Sequence, residues 1–95
     1  MSHKIDNQLI LESALELAKR HGFVNLRREE IARFAGVSVG KVTNAFGSMK
    51  KLRRAVMRQA IRLELLDIIA EGIVFRDPCA LKIPEELKVK ALNSI

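Results

Sequence analysis

Arg27-Arg28-Glu29-Glu30-Ile31-Ala32-Arg33-Phe34-Ala35-Gly36-Val37-Ser38-Val39-Gly40-Lys41-Val42-Thr43-Asn44-Ala45-Phe46 is the stretch on which the reading of the chain turns. It reads as two short helices joined by a tight turn. Ile31, Ala32 and Ala35 mark the inner face of the first helix, and Gly36 permits the left-handed backbone of a turn. Ser38 suits the start of the second helix, because its hydroxyl accepts an otherwise orphaned backbone N–H. Val42, Ala45 and Phe46 follow at three- and four-residue steps and share one inward face. A small residue at position 32 lets two helices cross steeply at close range. Alanine at 32, glycine at 36 and a β-branched residue at 42 together have the spacing of a DNA-reading helix-turn-helix.

The rest of the chain is consistent with a small helical unit. Its 95 residues suffice for one domain with a modest core. Hydrophobic residues make up 48% of it, too many for a disordered tail. A net charge of +6 implies a polyanionic partner, nucleic acid or an acidic surface. The single cysteine, Cys79, excludes an internal disulfide and a cysteine-rich metal site, and it reads as a small buried hydrophobe. His21 reads as a surface residue, so no metal is expected, and no cofactor either. There is no apolar run of about 18 residues and no leader-like start, which implies a soluble, cytoplasmic protein without a membrane partner.

Taken in order, Met1 to Ile5 reads as a loose end, with Asp6 or Asn7 capping a first helix that runs to about His21. Ile10, Leu11, Ala14, Leu17 and Ala18 form its apolar stripe. Gly22 stops it, Phe23 and Leu26 plug the space behind it, and Asn25 is a candidate cap for the second helix. After Phe46, Gly47 breaks the pattern and Ser48 starts a long fourth helix. That helix is basic in its first half (Lys50, Lys51, Arg53, Arg54, Arg58, Arg62), with no acid between Met49 and Leu63. A solvated face usually mixes the signs, so the run implies phosphate contact. From Leu63 to Phe75 the helix is expected to continue, apolar on most sides and therefore covered on most sides. Ile61, Leu65, Ile68, Ile69, Ile73 and Phe75 are the residues expected to meet a second copy of the chain. Asp77-Pro78 and Ile83-Pro84 suit fresh helix starts. The expected architecture is all-α: a three-helix helix-turn-helix core, a long fourth helix, and one or two short C-terminal helices. Residues 1–56 would hold the DNA-binding region with its motif at 27–46, and residues 57–95 the dimerisation region of the same folded unit.

From Ile10 to Val56 the chain resembles the DNA-binding domain of the TetR family of bacterial transcription repressors. The resemblance is carried by Ile10-Leu11-Glu12-Ser13-Ala14-Leu15-Glu16-Leu17, Gly22-Phe23, Ile31-Ala32, Ala35-Gly36-Val37-Ser38-Val39-Gly40-Lys41-Val42, and then Phe46, Ser48 and Leu52. It departs from the family pattern at Thr43, where an aromatic is usual, and at Met49, where lysine is usual. Arg27 and Arg28 also replace small hydroxyl residues. Members continue into a helical ligand-binding domain, for which this chain leaves no room, so no small-molecule effector is expected.

The resemblance and the residues together imply a dimeric repressor on double-stranded DNA in a bacterial cell, its phage or a plasmid. Val39, Gly40, Lys41, Thr43 and Asn44 would face base edges: Asn44 suits adenine, Lys41 guanine, and Val39 a thymine methyl. Arg27, Arg28, Ser38, Lys50, Lys51 and Arg54 would hold phosphates. Two copies would read half-sites of a palindrome about one helical turn apart. A rival is a protein-interaction adaptor or anti-repressor using the same scaffold. Catalysis is not expected, because the chain has no nucleophile–base pair and no phosphate loop.

Overall fold

In the structure, a computed structural model, residues 2–94 are described, with side chains from Asp6 onward. The described residues form an all-α fold without strands: α1 (Ser2–His21), α2 (Arg28–Ala35), α3 (Val39–Phe46), α4 (Met49–Arg62), α5 (Leu66–Val74), α6 (Pro78–Leu81) and α7 (Glu85–Leu92), with a 3-10 turn at Phe23–Asn25.

α1 is the spine of the N-terminal half. Its stripe of Ile10, Ala14, Leu17 and Ala18 is buried, and α2, α3 and α4 all pack against it. The helix begins at Ser2, so Met1–Ile5 is not the expected loose end, and Asp6 does not act as its cap. At the other end Gly22 breaks the helix with a φ of 98°, a value that strains any residue with a Cβ. Phe23 and Leu26 then fill the space beneath, both buried as expected. Asn25 does not cap α2; its Nδ2 donates to the His21 carbonyl at 2.6 Å and closes α1 instead. Arg27 occupies the capping position of α2 without a side-chain bond.

The fourth helix is shorter than its apolar pattern suggests. It stops at Arg62, where Glu64 adopts a φ of 51°. Leu65 N–H returns to Ala60 O at 2.8 Å and Glu64 N–H to Ile61 O at 3.1 Å, a helix stop of the Schellman type. α5 ends the same way, with Arg76 at φ 60°, Asp77 N–H on Gly72 O and Arg76 N–H on Ile73 O. A left-handed residue other than glycine costs about 1–2 kcal/mol. Turning the chain there folds α5 onto α4 and buries Ile68 and Ile69, each worth about 1.5–3 kcal/mol. Burial therefore outweighs the backbone strain.

The cover for α5 comes from the chain itself. α6 and α7 pack on it and seal Ala70, Ala80 and Ala91 with it. Asp77 Oδ1 accepts from Cys79 and Ala80 N–H at 2.9 and 3.2 Å, which starts α6 with Pro78 in its first turn. Cys79 is only half-buried, not enclosed, and its Sγ lies 3.9 Å from Arg58 Nη1.

Candidate nucleic-acid interface

The turn between α2 and α3 is built by local chemistry. Gly36 takes the left-handed conformation (φ 73°), and both Gly36 and Val37 N–H bond the Ala32 carbonyl, at 2.9 and 3.0 Å. Ser38 Oγ accepts from Lys41 N–H at 3.2 Å and caps α3. Val42 is fully buried, with Ala45 and Phe46 half-buried beside it. That inward face fixes the roll of α3 about its own axis, so the opposite face is fixed too.

The outward face carries Val39, Gly40, Lys41 and Asn44, all exposed. Thr43, expected among them, is only half-exposed, and its hydroxyl leans on the Val39 carbonyl at 3.4 Å. Gly40 is an unforced glycine: it lies inside the helix, and a Cβ added to it would meet nothing within 4 Å. Glycine there weakens the helix by roughly 1 kcal/mol relative to alanine. Nothing inside the chain requires it.

Lys41 is not free of partners. Its Nζ lies 3.0 Å from Asp6 Oδ2, a carboxylate on the first turns of α1. Asp6, Asn7, Lys41, Asn44 and Ala45 line one notch of about 450 Å³ between α1 and α3. Sequence reasoning missed Asp6 and Asn7 as neighbours of this face. Their only local signal was the capping tendency of Asp and Asn, which pointed elsewhere.

The flanking cations divide into two sets. Arg27 and Arg28 stand exposed at the start of α2, and Lys50 and Lys51 at the start of α4, where Ser48 Oγ caps Lys51 N–H at 3.1 Å. These two helix starts meet at a notch lined by Arg27, Arg28, Met49 and Arg53. Arg54 is half-buried. The others turn away from DNA-facing duty, because about 3.6 residues per turn spreads a basic run around a helix. Arg53 Nη2 donates to the Leu26 carbonyl at 3.2 Å, bracing α4 against the corner before α2. Arg58 points to Cys79, and Arg62 to Gln59.

The residues expected at a joining surface also divide. Ile68 and Ile69 are core residues of the single chain, which corrects their assignment to a surface. Ile61, Leu65 and Ile73 are half-buried, and Phe75 is 63% exposed next to Val74 at 57%. Leu63, Val89 and Leu92 add further exposed apolar side chains in the C-terminal third. No described helix is long and apolar enough to cross a membrane.

Compared with known families, residues 10–56 match the bacterial regulatory proteins of the tetR family, a span from the middle of α1 through the first half of α4. No curated protein and no solved structure matches the chain.

Proposed function

Because residues 10–56 belong to the tetR family of bacterial regulatory proteins, which are DNA-binding regulators of transcription, we propose that this chain is a dimeric repressor that reads a palindromic operator. α3 lies in the major groove with Val39, Gly40, Lys41 and Asn44 toward the bases. Asn44 pairs with adenine and Lys41 with guanine, while Thr43 makes at most a marginal contact. Arg27, Arg28, Lys50 and Lys51 hold phosphates on either side and set the register. Ser38 offers its helix start to a phosphate, and Arg54 adds a lesser contact.

The observation that carries this reading is Gly40. A helical glycine with open space over its Cα is explained by something outside the chain that comes close to the backbone. DNA in contact with the outer face of α3 supplies that neighbour.

Residues 1–56 serve as the reading unit and residues 57–95 join two copies in the cytoplasm of a bacterial cell. Phe75 and Val74 are the centre of the joining surface, with Leu63 and the half-buried Ile73 at its edge. One α3 touches too few base pairs for useful specificity, and two related by a twofold axis double the count. Occupying a promoter is then sufficient for repression.

Selection of binding sites from random duplex DNA at stated salt tests this reading. Enrichment of an inverted repeat with half-sites about one helical turn apart supports it. Uniform, salt-sensitive binding without enrichment would favour a protein-interaction module instead.

A further inference from the structure

Resting on the proposal that α3 reads a major groove, we infer that Asp6 and Lys41 act as one unit that recognises a G·C base pair. Lys41 Nζ and Asp6 Oδ2 stand 3.0 Å apart at the edge of the notch that also holds Asn44. In the major groove a G·C pair presents the guanine N7 and O6 acceptors beside the cytosine N4 donor. O6 and N4 are hydrogen-bonded to each other within the pair, so they lie about 2.9 Å apart. A cation and an anion at 3.0 Å thus face an acceptor and a donor at nearly the same separation. The lysine ammonium has three donors, enough to keep Asp6 while reaching guanine. The carboxylate has two oxygens, so one holds Lys41 and the other accepts from N4.

The two side chains are unequal in a way that fits this role. Lys41 is 50% exposed and extends outward, whereas Asp6 is 21% exposed and held against the protein. An ion pair this open to water adds little to folding. Asp6 also precedes the residues matched to the family, so it belongs to this chain's own reading edge and not to the shared framework.

An acid at this edge changes discrimination more than affinity. It repels phosphates on any DNA, and it meets only acceptors at T·A or A·T pairs that lack a donor in register. Where N4 of cytosine stands opposite, the repulsion is replaced by a hydrogen bond. Specificity is a difference between two affinities, and Asp6 enlarges it by weakening the wrong complex.

The test uses the full chain, the duplex selected from random DNA, and variants of that duplex with each G·C pair replaced in turn by A·T. Wild type loses about 5- to 150-fold in affinity at one such position. In Asp6→Ala that loss shrinks to near none, while affinity for random duplex rises. Asp6→Asn, which keeps the shape and one acceptor oxygen, falls between the two. N4-methylcytosine at the same position weakens wild type and leaves Asp6→Ala unchanged, a readout that a purely structural role for Asp6 would not move. If Asp6→Ala keeps the full wild-type discrimination at every G·C position, the assignment is overturned and reading by α3 still stands. If wild type does not distinguish the selected duplex from random DNA, the reading of α3 falls and this inference with it.

Discussion

The Glu71 carboxylate accepts a hydrogen bond from Phe23 N–H at 3.1 Å, which ties α5 to the corner where α1 gives way to α2. The bond spans 48 positions of sequence and is partly shielded from water. It fastens the C-terminal helices to the base of the helix-turn-helix, so the two halves unfold together. Hydrogen bonds to charged groups contribute about 1.5–3 kcal/mol. Glu71→Ala is therefore expected to lower stability by about that amount in a single transition, measured by urea unfolding. Two separate transitions would show that the halves are independent.

Arg76 and Glu64 hold left-handed backbone at the ends of α5 and α4, with φ of 60° and 51°. Arg76→Gly should raise stability by about 0.5–1 kcal/mol, relief of strain less the extra entropy of glycine in the unfolded chain. Glu64→Gly should gain less, because it also removes the ion pair to Lys90 at 3.3 Å. Thermal melts of the two variants rank them.

Phe75 and Ile69 separate joining from folding. Ile69 is fully buried and Phe75 largely exposed. Ile69→Asp should unfold the chain, since an isolated buried charge is not tolerated. Phe75→Asp should leave the circular dichroism spectrum unchanged and shift sedimentation from dimer to monomer. A Phe75→Asp protein that sediments as wild type does would move the joining surface elsewhere.

Gly40 provides an opposing pair of effects. Gly40→Ala should stabilise the fold by roughly 1 kcal/mol, since alanine favours helix and its methyl meets nothing. The same methyl should weaken DNA binding by about tenfold or more, if the backbone there lies against DNA. Melting temperature and binding affinity are thus expected to move in opposite directions.

What the sequence makes legible is the chemistry that acts within a few residues. Gly22, Gly36, Ser38 and Ser48 announce their turns and caps because each side chain, or its absence, acts on the adjacent backbone. The inward face of α3 follows from Val42 and its neighbours, and so its outward face was also readable. The break after Arg62 was not, because Glu64 is neither glycine nor proline and the turn is stabilised by distant burial. For the same reason Ile68 and Ile69 looked like surface: only the path of α6 and α7 shows that they are covered. The Asp6–Lys41 pair joins residues from different helices, and no spacing rule links positions that far apart.

The central claim is that the outer edge of α3 inspects base pairs. The most direct measurement compares Asn44→Ala with wild type on the selected duplex and on a scrambled duplex of equal length and salt. Asn44 is exposed and has no partner role in the core, so the variant should stay folded. The account expects a loss of about 5- to 150-fold on the selected duplex and almost none on the scrambled one. An equal loss on both, or no loss on either, would contradict it.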